Sequence, residues 1–565
     1  MSDPVASYRL ALTSPARQKL VPLYGAGLEN IGDIVETPLP ACGPDQLLVR
    51  HDACGICFSD IKIVTLGPAH PRMRGLDMRK TPVVMGHEVC MTVTAVGEKL
   101  RGQYRVGERF IIQADIWKNG VNYAYGYLIP GGFSYYGVID QRVLNGDHGN
   151  YLIPVKPQTG YAESALAEPW ACVVAAYMLR YRTTLKPGGT AWFIGTPGAA
   201  DGYQTSAGFD ASSHPGKVLL TRVPPAFAAR LKKMAGALGV PVAEADLPQP
   251  PGSVDDIVVL GPDADIVEKA AESLREFGIL ALISDRPLDR PVDVDVGRIH
   301  YEQRTYVGTT GRDISLAYSA VPVRSALKPG GKAMFVGAGG PIGRMHVQRA
   351  IQTRDGPRLI VCTDPSALRL KDLEESYAAE AAARGITFLC LNPADQKAYQ
   401  QALAPYRKDG FDDIIVLAPV AAAISASAPL LAPKGVMNVF AGVQKGTLAK
   451  VDLSDVCLKQ TRVIGHSASS IDDLREVLRL VESGQLSTNR SVAAVGSLSA
   501  TRDGLKAAQE NRFPGKIVIF PHIREFPLTA VPDLKNVLPS VAAKLKHGRE
   551  WTLEAEEEFL RLTLP

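Results

Sequence analysis

The sequence predicts an α/β protein: a β-rich N-terminal portion followed by two tandem, doubly wound parallel-sheet units. Three observations predict it. A turn tag, Leu185-Lys186-Pro187-Gly188-Gly189, occurs again as Leu327-Lys328-Pro329-Gly330-Gly331. Strand-like segments after the two tags match in order: TAWFIG (Thr190–Gly195) with KAMFVG (Lys332–Gly337), DDIVVLGPDA (Asp255–Ala264) with DDIIVLAPVA (Asp412–Ala421), GILALISD (Gly278–Asp285) with GVMNVFAG (Gly435–Gly442), and RTYVGTTG (Arg304–Gly311) with TRVIGHSA (Thr461–Ala468). The last three pairs share one offset, since 412−255, 435−278 and 461−304 are all 157, and a constant offset over separated segments marks a duplication. Within each copy, apolar β-runs alternate with helix-period segments, the pattern of a parallel sheet covered by helices.

Length and composition bound the rest. At 565 residues the chain exceeds one hydrophobic core and divides into several domains. Hydrophobic content of 46% and charged content of 21% are those of a soluble globular protein. A formal net charge of +4 is small for this length and gives no reason to expect a nucleic-acid partner. No apolar run reaches the ~18–20 residues of a membrane span. The N-terminus, MSDPVASYRL, lacks the basic-then-apolar pattern of a signal peptide. Eight cysteines in so long a chain read as reduced thiols of a cytoplasmic protein.

From the N-terminus, Tyr8–Ala53 alternates short β-like runs with Gly/Pro turns, and Gln46–Arg50 is its clearest strand. Cys54-Gly55-Ile56-Cys57-Phe58-Ser59-Asp60 follows and supplies a thiol. Gly67–Lys80 carries Arg72, Arg74, Arg79 and Lys80. It reads first as a solvated loop, and alternatively as an anion clamp for a phosphorylated or acidic sugar, because arginine pairs well with phosphate. In Thr81–Cys90 an apolar run ends at Gly86-His87-Glu88, which sets an imidazole beside a carboxylate at a turn. Val89–Ala114 reads as strands broken by glycines. Asn122–Tyr136 holds five tyrosines, which either pack as amphipathic rings or line a sugar site. Ala167-Glu168-Pro169-Trp170 brings a second carboxylate and leads into a helical segment ending near Thr184. Sulfur, nitrogen and oxygen donors from distant segments are what a catalytic zinc requires, three protein ligands with one position left open.

The two glycine-rich turns are not equivalent. The second copy reads Gly337-Ala338-Gly339-Gly340-Pro341-Ile342-Gly343 between a strand and a helix. Glycines allow the tight turn and close approach of a pyrophosphate, and the helix N-terminus favours its charge. The next strand, Arg358–Thr363, ends at Asp364. An acidic residue there is the expected partner of the adenosine ribose hydroxyls, and it favours NAD over NADP because a carboxylate repels a 2′-phosphate. The first copy reads Gly195-Thr196-Pro197-Gly198-Ala199-Ala200-Asp201-Gly202, with an added carboxylate and no good helix after it, and its second strand ends at Thr221-Arg222. It is either a degenerate structural repeat, the reading adopted, or a site rebuilt for another nucleotide. Ala508–Pro521 reads as a returning strand, and Leu528–Pro565 as polar helical segments that pack on another subunit or on the N-terminal domain.

The motifs CGICFSD (Cys54–Asp60), GHEV (Gly86–Val89), VGERF (Val106–Phe110), GGFSYY (Gly131–Tyr136) and LAEPWACVVAAY (Leu166–Tyr177), in this order, resemble the zinc-containing medium-chain dehydrogenase/reductase family, in particular its sorbitol-dehydrogenase-like and sugar-phosphate-reductase branches. The resemblance covers roughly Tyr8–Pro521. It implies a GroES-like catalytic domain (1–184, completed by 496–565), a first, degenerate Rossmann-like repeat (185–325) and a second, NAD-binding Rossmann repeat (326–495). It assigns Cys57, His87 and Glu168 as ligands of one catalytic zinc, with Glu88 as a direct or water-exchanging fourth. It places Ser59 at the substrate oxygen as the start of a proton relay and Asp60 as a group that orients the loop or a ligand imidazole. Many members carry a histidine five residues after the ligand cysteine; this chain has Lys62 there, so Lys62 or water takes over the outer relay. Gly337, Gly339, Gly340, Ile342, Gly343 and Asp364 are the expected NAD contacts. The structural-zinc lobe of many members is absent or metal-free, because no cysteine lies between Cys90 and Cys172.

The implied activity is hydride transfer between NAD(H) and a polyol, sugar or sugar-phosphate alcohol. The alternatives are an epimerase- or lyase-type enzyme with a retained NAD, or a non-catalytic member. The expected partner is a small molecule, with no nucleic acid and no membrane, and a homo-oligomer, dimer or tetramer, stays open. Family dimers pair two nucleotide-binding domains edge to edge, so two copies in one chain are expected to form that paired sheet internally.

Overall fold

The computed structural model describes residues 4–10, 15–73 and 75–565. Two compact units divide the chain. One comprises Met1–Ala175, Gly340–Met345 and Ala468–Pro565; the other comprises Ala176–Gly339 and His346–Ser467. The limits expected at 184 and 495 therefore move. Residues 468–495 belong with the first unit because the helix Ile471–Glu482 packs its buried face (Leu474, Val477, Leu478, Val481) on the helix Ala167–Ala175. The strand Val492–Ser497 pairs with Lys516–Phe520 in that unit's sheet.

The second unit holds the duplication. Its sheet strands are β1 Thr190–Gly195, β2 Lys217–Thr221, β3 Val242–Glu244, β4 Val254–Leu260, β5 Leu274–Ile283, β6 Thr305–Thr309, β7 Lys332–Val336, β8 Leu359–Thr363, β9 Thr387–Leu391, β10 Phe411–Val416, β11 Leu431–Val439 and β12 Arg462–Gly465. They form one sheet of 12 strands among the described residues, in the order β3-β2-β1-β4-β5-β6-β12-β11-β10-β7-β8-β9. Each half is parallel and doubly wound, and the halves meet where β6 runs antiparallel to β12 at Tyr306 and Val463. A second antiparallel pair, Val292–Asp295 with Leu448–Val451, repeats the relation outside the sheet. The expected internal pairing of the two copies is thus present. Alternate residues face opposite sides, as the two-residue period of a strand requires: Trp192 and Ile194 join a core that continues through Tyr306 and Met334 into the second copy, while Ala191 and Phe193 join Leu220, Phe227 and Leu231 on the other face.

The paired aspartates of the repeat explain why both tags survive. In the first copy Asp255 accepts from Lys186 Nζ (2.6 Å) and Thr190 N–H (2.9 Å), and Asp256 accepts from Lys186 N–H (2.8 Å) and Arg182. In the second copy Asp412 accepts from Lys328 Nζ (2.6 Å) and Lys332 N–H (2.9 Å), and Asp413 from Lys328 N–H (2.8 Å) and Arg324. Buried backbone N–H groups of a tight turn need acceptors, and two adjacent carboxylates supply them while each is offset by a cation.

The first unit is built on a sheet in which Leu47–Gly55, buried along its whole length, lies between Lys516–Phe520 and Glu88–Val96, both antiparallel to it. Arg109–Ile112 and Leu152–Val155 extend the sheet, and Tyr136–Ile139 pairs with the other end of Leu47–Gly55. The C-terminal tail folds back on this same unit. Its helix Leu553–Thr563 places Glu556 under the N–H groups of Tyr161 (2.5 Å) and Ala162 (2.8 Å), and Phe559 packs edge-on against Phe520 (5.4 Å) and Trp551 (5.7 Å). No described helix is long and apolar enough to cross a membrane.

Candidate active site

The sheet register assembles the first site. Gly55, the last residue of its strand, stands opposite Glu88 on one neighbour and Val518 on the other. Two residues beyond Gly55, Cys57 caps the helix Phe58–Leu66, and Asp60 at its third position accepts the Cys57 N–H at 2.8 Å. The cysteine is thereby held at the helix start. Gly55 must lack a side chain, because a Cβ there would lie 2.1 Å from Glu88 Oε2.

Cys57, His87 and Glu88 form the one group of potential metal-ligating side chains found among the described residues, with donor atoms within 4.8 Å of one another. Ser59 Oγ lies 3.2 Å from Cys57 Sγ. Asp60 Oδ1 lies 3.4 Å from His87 Nδ1, a buried ring nitrogen with no hydrogen-bond partner. Burial alone would lower the His87 imidazole, but Asp60 and Cys57 beside it outweigh burial and hold it well above its ordinary value. The donor set fits zinc: thiol, imidazole and carboxylate are its ligand types, and Glu88 Oε2 is buried with no hydrogen-bond partner.

Glu168 is the departure from the expected ligand set. It is half-buried at the start of the helix Ala167–Ala175 and does not join the 4.8 Å group. Burial, with the like charge of Glu88 added, raises its carboxyl to about 7 despite the attraction of His87. Lys62 sits one helical turn beyond Ser59, with its Nζ 5.8 Å from the Phe58 ring. Cys54 is fully buried and lies outside the donor group.

Sequence reasoning missed Lys516. Its ammonium bonds Glu88 Oε1, and both side chains are buried. Burial disfavours the charged lysine, but Glu88 and Cys57 reverse that and raise its pKa. The available signal was a lysine opening the otherwise apolar run Lys516–Phe520; nothing local says that its strand lies beside Gly55.

The tyrosine segment is mostly packing. Tyr125 is buried with its OH on His51 Nε2 (2.7 Å), and Tyr135 stacks on His522 (4.3 Å). Tyr127 is the exception. Its ring lies 6.1 Å from the His87 ring and 5.5 Å from His70, with the Arg72 guanidinium 5.1 Å from its centroid.

In the second unit, Gly337 follows β7 at φ +83°, and Gly337 and Ala338 donate to Thr363 O (2.8 and 2.9 Å). Asp364 is buried. Its Oδ2 accepts the Gly339 N–H (3.1 Å) and its Oδ1 the Ser366 N–H (2.9 Å). The carboxylate expected at the ribose therefore also braces the turn, and its remaining lone pairs keep acceptor capacity. A Cβ at Gly339 would come 2.8 Å from Asp364 Oδ2, whereas nothing lies within 4 Å of one at Gly340, so the backbone is open to a close ligand there. Ile342 and Gly343 fall in the first turn of the helix Pro341–Gln352. The turn and the acidic residue fit a dinucleotide. In the first copy the described elements contain no helix between β1 and β2, and Arg222 sits at φ +50° with its side chain exposed. That copy keeps the strands and lacks the helix that would face a pyrophosphate.

Residues 43–145 match the family described as "Alcohol dehydrogenase GroES-like domain". The chain is 23% identical over 537 residues to mannitol-1-phosphate 5-dehydrogenase of Aliivibrio fischeri, covering 92% of this chain and 93% of that protein. It is 22% identical over 532 residues to L-sorbose 1-phosphate reductase of Klebsiella pneumoniae, with the same coverage of 92% and 93%. Among solved structures, 2R,3R-butanediol dehydrogenase from Bacillus subtilis superposes with a TM-score of 0.51 at 16% identity, covering 89% of this chain and 99% of that one. A zinc-binding dehydrogenase from Sinorhizobium meliloti 1021, solved with NADP, gives 0.51 at 17% identity over 90% and 100%.

Proposed function

From the premise that this chain belongs to the zinc-containing medium-chain dehydrogenase/reductase family, we propose that it is a zinc-dependent oxidoreductase that moves a hydride between NAD(H) and a polyol, sugar or sugar-phosphate alcohol. The observation that carries the reading is the convergence of Cys57, His87 and Glu88, with an unpartnered buried oxygen on Glu88.

When bound, zinc would supply Lewis acidity toward the substrate oxygen and the nicotinamide would take or return the hydride. The chain supplies the rest. Cys57, His87 and Glu88 hold the metal, and Glu168, whose carboxyl burial raises, is a ligand or a nearby proton acceptor. Asp60 orients the His87 ring, and Lys516 offsets the Glu88 charge. The Ser59 hydroxyl, beside Cys57, holds the proton at the substrate oxygen, and Lys62 on the same helix carries it outward. Gly337, Gly339 and Gly340 admit the pyrophosphate, and Asp364 favours NAD through the ribose.

The test is metal content by elemental analysis together with NADH formation on a panel of polyols, sugars and their phosphates, for wild type and Cys57→Ser. One zinc per chain, with zinc and activity both lost in Cys57→Ser, is the expected result. A fully active chain without zinc would overturn the proposal.

A further inference from the structure

We propose that Arg72 and His70 form a phosphate subsite at the metal site, so that the substrate is a phosphate ester of the polyol or sugar rather than the free compound. The inference rests on the oxidoreductase reading above and adds a recognition element to it.

The segment Gly67–Lys80 was open to two readings, a solvated loop or a clamp of four basic residues. The structure divides it. Arg79 and Lys80 are exposed beside Asp77, with Lys80 Nζ 3.7 Å from it and 85% exposed. Arg74 lies outside the described residues. Arg72 behaves differently. Two short helical turns, Gly67–Ala69 and Pro71–Met73, curl the chain back, and the fully buried Met73 anchors it. His70 and Arg72 are thereby turned onto the ring of Tyr127, which is itself buried against His87.

The groups suit a phosphate. The Arg72 guanidinium is about one-third exposed and held by a single carboxylate oxygen, Asp115 Oδ1, at 2.6 Å from Nη2. A guanidinium carries five N–H donors in a fork that matches phosphate oxygens, so this ion pair aims Arg72 without exhausting it. Burial, and then the positive charges of Arg72 and Lys62, depress the His70 imidazole. A phosphate dianion beside Arg72 and His70 would favour the protonated imidazole. Arg72 stands two ring contacts, of 5.1 and 6.1 Å, from the His87 imidazole. A loop that is merely solvated has no reason to pack its arginine and histidine on a buried ring next to the metal donors.

The experiment compares mannitol 1-phosphate with mannitol as substrates of the zinc-loaded chain, for wild type, Arg72→Ala, Arg72→Lys and His70→Gln. Binding of inorganic phosphate is measured in parallel by calorimetry, and zinc content is determined for every variant. Wild type is expected to prefer the ester. Arg72→Ala is expected to cut that preference about 10- to 100-fold, chiefly through KM, as expected for a lost hydrogen bond to a charged group. Arg72→Lys should recover part of it, because lysine keeps the charge but not the fork, and His70→Gln should lose less. Phosphate binding should weaken in the same order. A wild-type chain that handles ester and free polyol equally, or an unchanged preference in Arg72→Ala with zinc retained, overturns the subsite. Turnover of mannitol with no phosphate binding would sink the subsite and leave the oxidoreductase reading standing. Phosphate binding that depends on Arg72, in a chain that oxidises neither substrate, would support the subsite and sink the oxidoreductase reading.

Discussion

Replacing Lys516 with methionine removes the cation from the buried pair beneath the metal donors. Methionine keeps most of the volume, so the loss is electrostatic. Glu88 is fully buried, Lys516 is 4% exposed, and one oxygen of Glu88 already has no hydrogen-bond partner. Removing one member of a buried ion pair leaves an uncompensated charge and costs about 3–5 kcal/mol, whereas replacing both members with neutral groups is near neutral. Lys516→Met should therefore destabilise the strands that carry the site, and Lys516→Met with Glu88→Gln should return most of the loss. The assay is hydrogen exchange of peptides from Leu47–Gly55 and Glu88–Val96, which reports local opening within this unit. It is run with a chelator, so that Lys516 is the cation under test. At about 1.4 kcal/mol per decade, the single variant should exchange roughly 10²- to 10³-fold faster and the double variant within about tenfold of wild type. Exchange of the single variant at the wild-type rate would refute the reasoning.

Three further outcomes are expected. Burial, and then the like charge of Glu556, raise the Glu163 carboxyl to about 7. A carboxyl whose folded pKa is raised gives stability that is present below the unfolded value near 4.5 and lost as pH rises through about 7, here on the order of 2–3 kcal/mol; Glu163→Gln should melt like wild type at pH 4.5 and higher than wild type at pH 8, and parallel melting curves across that window would contradict this. Asp60→Asn should weaken zinc about 10- to 100-fold in a competition assay with a chromophoric chelator, because an outer-shell carboxylate orients the ligand imidazole; unchanged affinity would exclude that role. NADH titration should give one site per chain, from the second repeat alone, and Asp364→Ser should shift the NAD-to-NADP preference toward NADP; two sites, or an unmoved preference, would overturn the assignment of the turns.

The duplication was legible because it is local. The tags, the paired aspartates and the strand cores are short stretches whose periodicity and order survive in the linear chain, and the 157-residue offset needs no tertiary information. Cys57, His87 and Glu168, with Glu88 as a fourth, were read as donors because thiol, imidazole and carboxylate stand in the motifs; the structure groups Cys57 and His87 with Glu88. Lys516 was not, because its importance comes from register: Val518 stands opposite Gly55 only once a strand from the far end of the chain has entered the sheet. Arg72 was visible as a charge but not as a site, because nothing in Gly67–Lys80 separates the arginine that packs on Tyr127 from Arg79, which faces solvent. The limit near 495 misplaced the helix Ile471–Glu482, because an amphipathic helix reads alike whichever sheet it covers.

The sequence by itself determined the α/β class, the two copies and their unequal glycine turns, and the residue types that could hold a metal. These follow from side-chain periodicity and backbone freedom, which act over a few residues. Only the tertiary structure decided that the copies join edge to edge at β6 and β12, that the tail folds onto the first unit, and that Lys516 stands against Glu88. Each of these depends on desolvation and charge pairing between segments remote in the chain, and those energies exist only where folding has removed the water between them.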